Sequence, residues 1–312
     1  MIYDVVTIGN VLIDAFLHLS DHANLVRADS HTNELRIGLG QKIPLDGYDL
    51  QMGGNAANVA VGLRRTGYKS ALMAEVGEDE LSSKILHDLE KEKVEMELLH
   101  KGKGTTSLSV GLQYKNERIL FTHHQQREHN FDFSSFQTRL IYLTSLGHSW
   151  LPTYKKAAEY VQKHHTLLAF NPGSIQLLDG AESFSFLFPL LTVLFVNKEE
   201  AEKIVGEKLP TQDLLTALQK KGSMTVCLTD GEKGAYAIDS QGQAYYQEKI
   251  ACPVIEKTGA GDAFASGFLA AMLSKHSIKD AMLFGAHNAA SVIGHMGAQK
   301  GLLEKEDLER KL

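Results

Sequence analysis

The residues best suited to chemistry lie in Lys257-Thr258-Gly259-Ala260-Gly261-Asp262-Ala263-Phe264-Ala265-Ser266-Gly267-Phe268. Two glycines and an alanine precede an acid, and small and apolar residues at helical spacing follow it. This pattern predicts a turn feeding the N-terminus of a buried helix. The first N–H groups of such a helix have no partner within it, and its dipole favours negative charge there. Gly259, Ala260 and Gly261 keep bulky side chains away, so a phosphate can rest on the backbone. Asp262 then stands beside that anion, where a carboxylate can take the proton of an attacking hydroxyl. A plain tight turn with Asp262 as helix cap fits the same residues. Neither the P-loop ending Gly-Lys-Ser/Thr nor the dinucleotide GxGxxG is present in this stretch.

A second glycine turn opens Gln51-Met52-Gly53-Gly54-Asn55-Ala56-Ala57-Asn58-Val59-Ala60-Val61-Gly62-Leu63, a helix of small residues that Gly67 ends. Asn55 and Asn58 are three apart and share a face. Their amides can exchange hydrogen bonds with sugar hydroxyls, and either one also suits an N-cap. Asp14 follows the buried strand Val5-Val6-Thr7-Ile8 closely, at the strand end where open α/β sheets take ligands; a turn cap is the plainer reading. Asn197 and Glu200 stand three apart at a helix start. Leu228-Thr229-Asp230-Gly231-Glu232-Lys233-Gly234 is a glycine turn between strands. Taken singly, each of these last two reads as a cap or a hairpin turn.

The elements that must position these residues alternate. From residue 139 onward, apolar strands and helices follow one another, which predicts a mostly parallel sheet covered by helices on both faces. Residues 70–74 and 94–100 read as further strands, 184–187 as another apolar segment of the alternation, and 80–93 as a helix. Residues 281–293 form an Ala-rich helix carrying His287 and Asn288, and a polar helix closes the chain. Two segments break the pattern. Residues 16–51 show strand-like alternation with turn formers Asp29, Ser30 and Asn33 between. Residues 106–122 read as a hairpin about the turn Lys115-Asn116-Glu117. The two are expected to form one small sheet.

At 312 residues, 43% hydrophobic and 22% charged, the chain has the composition of a soluble globular protein with a sizeable core. A net charge of -6 with no basic stripe argues against nucleic acid. No apolar run is long enough to span a bilayer, and the first residues read as a strand rather than a signal peptide. Cys227 and Cys252 both lie in apolar strand-like segments and have no metal spacing, which fits a reducing cytoplasm. The pairs His123-His124 and His164-His165 lack an acid or thiol to complete a metal site.

Four motifs in one order now stand together: Gly53-Gly54-Asn55-Ala56-Ala57-Asn58, Asn197-x-x-Glu200, Thr229-x-Gly231-x-x-Gly234 and Thr258-Gly259-Ala260-Gly261-Asp262-Ala263-Phe264. In this the sequence resembles the ribokinase-like (PfkB) carbohydrate kinase family over essentially its whole length. The resemblance implies an α/β fold, a three-layer α/β/α domain spanning 1–312 with a central mostly parallel sheet and a small β lid made by 16–51 and 105–122. It implies ATP-dependent phosphorylation of a hydroxyl on a small carbohydrate. A nucleoside kinase, a sugar-phosphate kinase and a non-catalytic ligand-binding relative are the alternatives. By that resemblance Asp262 is the base, and Gly259, Ala260 and Gly261 are the anion hole. Asp14, Gly54, Asn55 and Asn58 bind substrate. Thr229, Gly231 and Gly234 hold the nucleotide phosphates, with Asn288 near the adenine. Asn197 and Glu200 organise Mg²⁺, largely through water.

The family usually carries Asp or Asn where this chain has Glu256, and that acid helps many relatives bind a monovalent cation. Lys257 beside it puts the cation in doubt: it reads either as a tethered ammonium, steadied by Glu256, that supplies a similar field or, more plainly, as an ordinary surface lysine. No basic cluster for a sugar phosphate is evident, because Arg64 and Arg65 sit late in their helix. Phe16, Tyr114 and Phe121 offer either a slot for a nucleoside base or simply lid core. Exposed lid edges favour a homodimer through the lid.

Overall fold

The computed structural model describes residues 1–20, 25–29, 32, 34–114 and 117–312. The turn positions Ser30, Asn33, Lys115 and Asn116 lie outside them. The main sheet has eight strands, in spatial order Ser70–Met73, Ile2–Ile8, Gln137–Leu143, Leu167–Phe170, Val193–Asn197, Thr225–Thr229, Ala235–Ile238 and Ala244–Gln247. The first six run parallel, and the last two are joined by antiparallel pairing, Ala235–Ile238 against Thr225–Thr229 and Ala244–Gln247 against Ala235–Ile238.

Strand alternation sends side chains to two cores. Val6, Ile8, Ile141 and Leu143 pack on one face, beneath the helices Leu151–His164, Lys198–Val205 and Thr211–Gln219. Val5, Leu140 and Tyr142 pack on the other, beneath Asn55–Arg65, Ala260–Leu273 and Ile278–Ile293. The last two helices approach closely because a Cβ at Gly267 would lie 2.8 Å from the Phe284 carbonyl, and one at Gly285 2.9 Å from the Phe264 ring.

Leu12–Leu19, Leu45–Gly53, Leu108–Tyr114 and Glu117–His123 form a separate four-stranded sheet. It therefore begins four residues before, and ends two residues after, the first of the segments read from sequence. The hairpin Val26–Asp29 with Glu34–Ile37 hangs from it. The cross-strand register puts Asp14, Gln51, Ser109, Gln113 and Arg118 on one face. The other face carries Leu17, Tyr48, Leu50, Ile119 and Phe121, of which Tyr48 is 68% and Phe121 56% exposed.

Three expected elements differ. Residues 94–100 hold only a bridge from Glu95 to Ala71 and the start of the two-residue strand His100–Lys101, since Ser70–Met73 already ends the sheet. Residues 184–187 lie in a 3₁₀ helix, Ala181–Leu190, whose Phe184, Leu187 and Phe188 pack on the core. The stretch around Cys252 has no regular secondary structure rather than forming a strand. Among the described residues, no helix is long and apolar enough to cross a membrane.

Candidate active site

The C-terminal ends of the parallel strands open onto one groove, as open α/β sheets require. The turn into the Ala260–Leu273 helix forms its floor. Gly259 takes a φ of 79°, and a Cβ there would lie 2.4 Å from the Ala298 side chain. Only glycine fits such a backbone pressed against its neighbour. Gly261 meets nothing within 4 Å and stays open to the groove.

Asp262, in the first turn, is 6% exposed. Asn58 Nδ2 donates to its Oδ2 at 2.8 Å and Asn55 Nδ2 to its Oδ1 at 3.2 Å. Burial pushes the carboxyl up from 3.8 to about 7, against these two hydrogen bonds and aided by the charges of Glu200 and Asp14. A carboxyl so poised suits proton abstraction near neutral pH. The two asparagines thus hold the acid. Asn58 is itself 4% exposed and accepts from Gln299 Nε2 at 2.9 Å, so its amide is committed within the protein rather than open to a sugar.

Asp14 comes from the small sheet. Burial raises its carboxyl from 3.8 to about 6, while Ser109 and the Arg118 guanidinium lower it. It can lie flat on the chain because Gly53 has no side chain: a Cβ there would be 2.0 Å from Asp14 Oδ2. Gly54, at φ 98°, presses on the Asn10 carbonyl, 2.5 Å from where its Cβ would stand.

The groove has two halves that share Thr229, Ala260, Gly261 and Phe264. The polar half is lined by Asn171, Asn197, Glu200, Lys257 and Asp262. Asn197 and Glu200 form a capping box, each side chain accepting from the other's backbone N–H at 2.9 Å. Cap and groove wall are therefore the same residues. Burial raises the Glu200 carboxyl, with the Asn197 N–H and Asn171 opposing. The apolar half is a slot between Gly231, Gly234 and the helix face Ala286, Ala289, Ala290 and Ile293. Gly234, at φ 85°, brings its backbone against the Gln247 carbonyl.

A family model described as pfkB family carbohydrate kinase matches residues 23–305. The chain belongs to that family. Its fold is the ribokinase one: a nucleoside kinase from Methanocaldococcus jannaschii superposes at a TM-score of 0.80 with 22% identity, covering 99% of this chain and 97% of that one. A ribokinase from Arabidopsis thaliana, solved with ribose and ATP, gives 0.79 at 17% identity, covering 99% and 98%. Among curated proteins, an ATP-dependent 6-phosphofructokinase from Thermoanaerobacterium thermosaccharolyticum is 24% identical, covering 95% of this chain and 89% of its own. The fructosamine kinase FrlD of Bacillus subtilis is 28% identical over 79% and 85%.

In this pfkB kinase Asn288 is not part of the slot. It is fully buried, donates to the Ala263 carbonyl and Ser266 Oγ, and accepts from Leu303 N–H, so it ties helices together. Glu256 does not steady Lys257. It is 5% exposed, pairs with Arg118 from the small sheet, and accepts from Thr258 N and Oγ1 at 2.9 Å, while Lys257 is exposed on the groove wall. Phe16 and Tyr114 are buried and Phe121 lies on the outer face, so the three make no slot. Asn171 was not picked out from sequence. It is the polar residue ending a buried strand, the same signal that marks Asp14.

Proposed function

We propose that this chain is an ATP-dependent sugar kinase. The observation that carries the reading is Asp262, buried on the polar half of the groove beside an open glycine turn, with its carboxyl raised to about 7 and the Asp14 charge near enough to add to that rise. The adenine lies in the slot of Ala286, Ala289, Ala290 and Ile293, with Thr229, Gly231 and Gly234 along the phosphates. The γ-phosphate rests on the N–H groups of Gly259, Ala260 and Gly261. Asp14 anchors the sugar against Gly54, with Asn55 at the edge. Asp262 takes the proton of the acceptor hydroxyl as its oxygen bonds to the γ-phosphorus. The bond to the β,γ-bridging oxygen breaks, and ADP leaves.

Mg²⁺ bound with the nucleotide neutralises phosphate charge. Among the described residues no group of three His, Cys, Asp or Glu side chains could hold a metal directly. Asn197 and Glu200, already joined as a cap, fit contact through water with the polar half of the groove. The small sheet is the lid, lowered over the acceptor to exclude water.

A sugar is favoured over a nucleoside because the lid aromatics leave no slot for a second base. A sugar phosphate is disfavoured because Arg65 is spent on Glu92 and two carbonyls, and Arg64 on the Lys93 carbonyl. The outer lid face, apolar and exposed, is the surface for a homodimer. The test is ADP release by the purified protein with Mg-ATP against pentoses, hexoses, amino sugars and nucleosides. Turnover with sugars and none with nucleosides is expected. Turnover with nucleosides alone, or with no acceptor, would overturn the reading.

A further inference from the structure

Glu256 is a buried carboxylate with four donors, and two of them come from the lid. Gln113 Nε2 donates to its Oε2 at 3.3 Å, and the Arg118 guanidinium pairs with its Oε1. Arg118 and Gln113 are cross-strand partners on adjoining strands and share a face, so they clasp the carboxylate together. The other two donors are the N–H and hydroxyl of Thr258, and that hydroxyl accepts from Arg118 in turn. Thr258 is the residue before Gly259. The backbone N–H groups of Ile255 and Glu256 both donate to the Ile293 carbonyl, at 2.9 and 3.1 Å. The Glu256 carboxylate, together with the Thr258 hydroxyl it accepts from, therefore joins the lid hairpin to the turn that opens the Ala260–Leu273 helix.

We infer that Arg118 is a positioning residue that acts through Glu256, coupling the lowered lid to the shape of the glycine turn and serving as the built-in counter-ion of that carboxylate. A charge this deeply buried is held only while it is paired and hydrogen-bonded. Raising the lid strips Glu256 of its cation and of one amide donor together. The carboxylate then turns toward solvent and releases Thr258, so the turn is set only when the lid is down. With a guanidinium fixed at this place, the turn needs no free monovalent cation. Lys257 has no part in this, being on the groove wall. In its consequence for turnover, the inference rests on the reading of Gly259–Gly261 as the site of the γ-phosphate.

Two measurements separate the inference from that reading. The first is hydrogen–deuterium exchange of the ligand-free protein as wild type, Arg118→Ala, Arg118→Gln and Arg118→Lys. Both neutral variants should exchange about tenfold faster in the lid strands 108–114 and 117–123 and also in 255–261, with the lysine variant between them and wild type. Faster exchange confined to the lid, or none, refutes the coupling, whatever the protein phosphorylates. The second is steady-state kinetics in potassium chloride and in tetramethylammonium chloride at equal ionic strength. Wild type should turn over equally in both. Arg118→Ala should lose about tenfold or more in kcat in tetramethylammonium, with KM for ATP little changed. Potassium, by occupying the vacated place beside Glu256, should restore part of it, and Arg118→Lys should keep most of it. Strong potassium activation of the wild type, or an Arg118→Ala variant with unchanged kcat in both salts, overturns the counter-ion role. Failure of every acceptor and of Asp262-dependent turnover would sink the kinase reading instead, while the exchange data still decide the coupling.

Discussion

Asp262→Asn should remove most activity and at the same time make the fold more stable above neutral pH. In the folded chain, burial and the charges of Glu200 and Asp14 hold this carboxyl at about 7, against an ordinary 3.8. Between those two values the folded chain keeps a proton that the unfolded chain has released. Stability therefore falls as pH rises through that window, and the loss is complete once pH exceeds about 7. At about 1.4 kcal/mol per unit, the difference corresponds to roughly 4 kcal/mol. An amide carries no such penalty. It also offers one acceptor where Asn55 and Asn58 now find two, which costs about 1–2 kcal/mol. The net expectation is a variant about 2 kcal/mol more stable than wild type near pH 8, and equal or slightly less stable near pH 4. Urea denaturation of both proteins without ligand, at a series of pH values, measures this directly. A stability difference independent of pH, or a less stable variant at pH above neutral, refutes the reasoning. So does near-normal turnover, since kcat should drop roughly 100-fold or more with the base gone.

Four further outcomes are expected. The kcat/KM of the wild type should rise with pH through about 7 as Asp262 loses its proton, and Asn58→Ala, by removing a donor 2.8 Å away, should move that limb to higher pH; a limb that stays put separates Asn58 from the base. Gly53→Ala would set a Cβ 2.0 Å from Asp14 Oδ2 and must displace that carboxylate, raising KM for the acceptor about tenfold with KM for ATP unchanged; equal effects on both would point to a fold defect. Ala289→Trp should fill the apolar slot and raise KM for ATP about tenfold, and an unaltered KM would put the adenine elsewhere. In sedimentation the wild type should run as a dimer and Phe121→Asp as a monomer; a monomeric wild type removes the lid interface.

What was legible in the sequence was local. Glycine turns before helices declare themselves because positive φ and close backbone approach admit little else, as at Gly54, Gly234 and Gly259. The parallel sheet followed from unbroken apolar strands. What was hidden depended on partners far along the chain. Asn55 and Asn58 read as donors for a ligand, yet the acceptor is an acid more than 200 residues on, at a separation of 204 for Asn58. Arg118 lies 140 residues from the Thr258 it touches, and no spacing rule joins a strand residue to a loop at that distance. Asn288 failed for a different reason. A helix turns by about 100° per residue, so one position beside Ala289 separates the groove wall from the interior. Lys257 follows the plainer reading of an exposed lysine on the groove wall, and Glu256 beside it in sequence turns inward to Arg118, because adjacent side chains face different ways.

The pairing of Asn58 with Asp262 also bears on how the chain is made. The helix Asn55–Arg65 buries Ala56, Ala57, Val59, Ala60, Val61 and Leu63, and the helix Ala260–Leu273 packs against it. On a ribosome adding about 5–20 residues per second, the 204 residues between the two polar partners take roughly 10–40 s to appear. For all that time the apolar stripe of the early helix has no cover from its later neighbour. A nascent chain stalled before residue 260 is then a ligand for chaperones, holding a finished acceptor wall with no base beside it. Slowing translation in the middle of the message should increase chaperone capture and aggregation more than slowing it at the end.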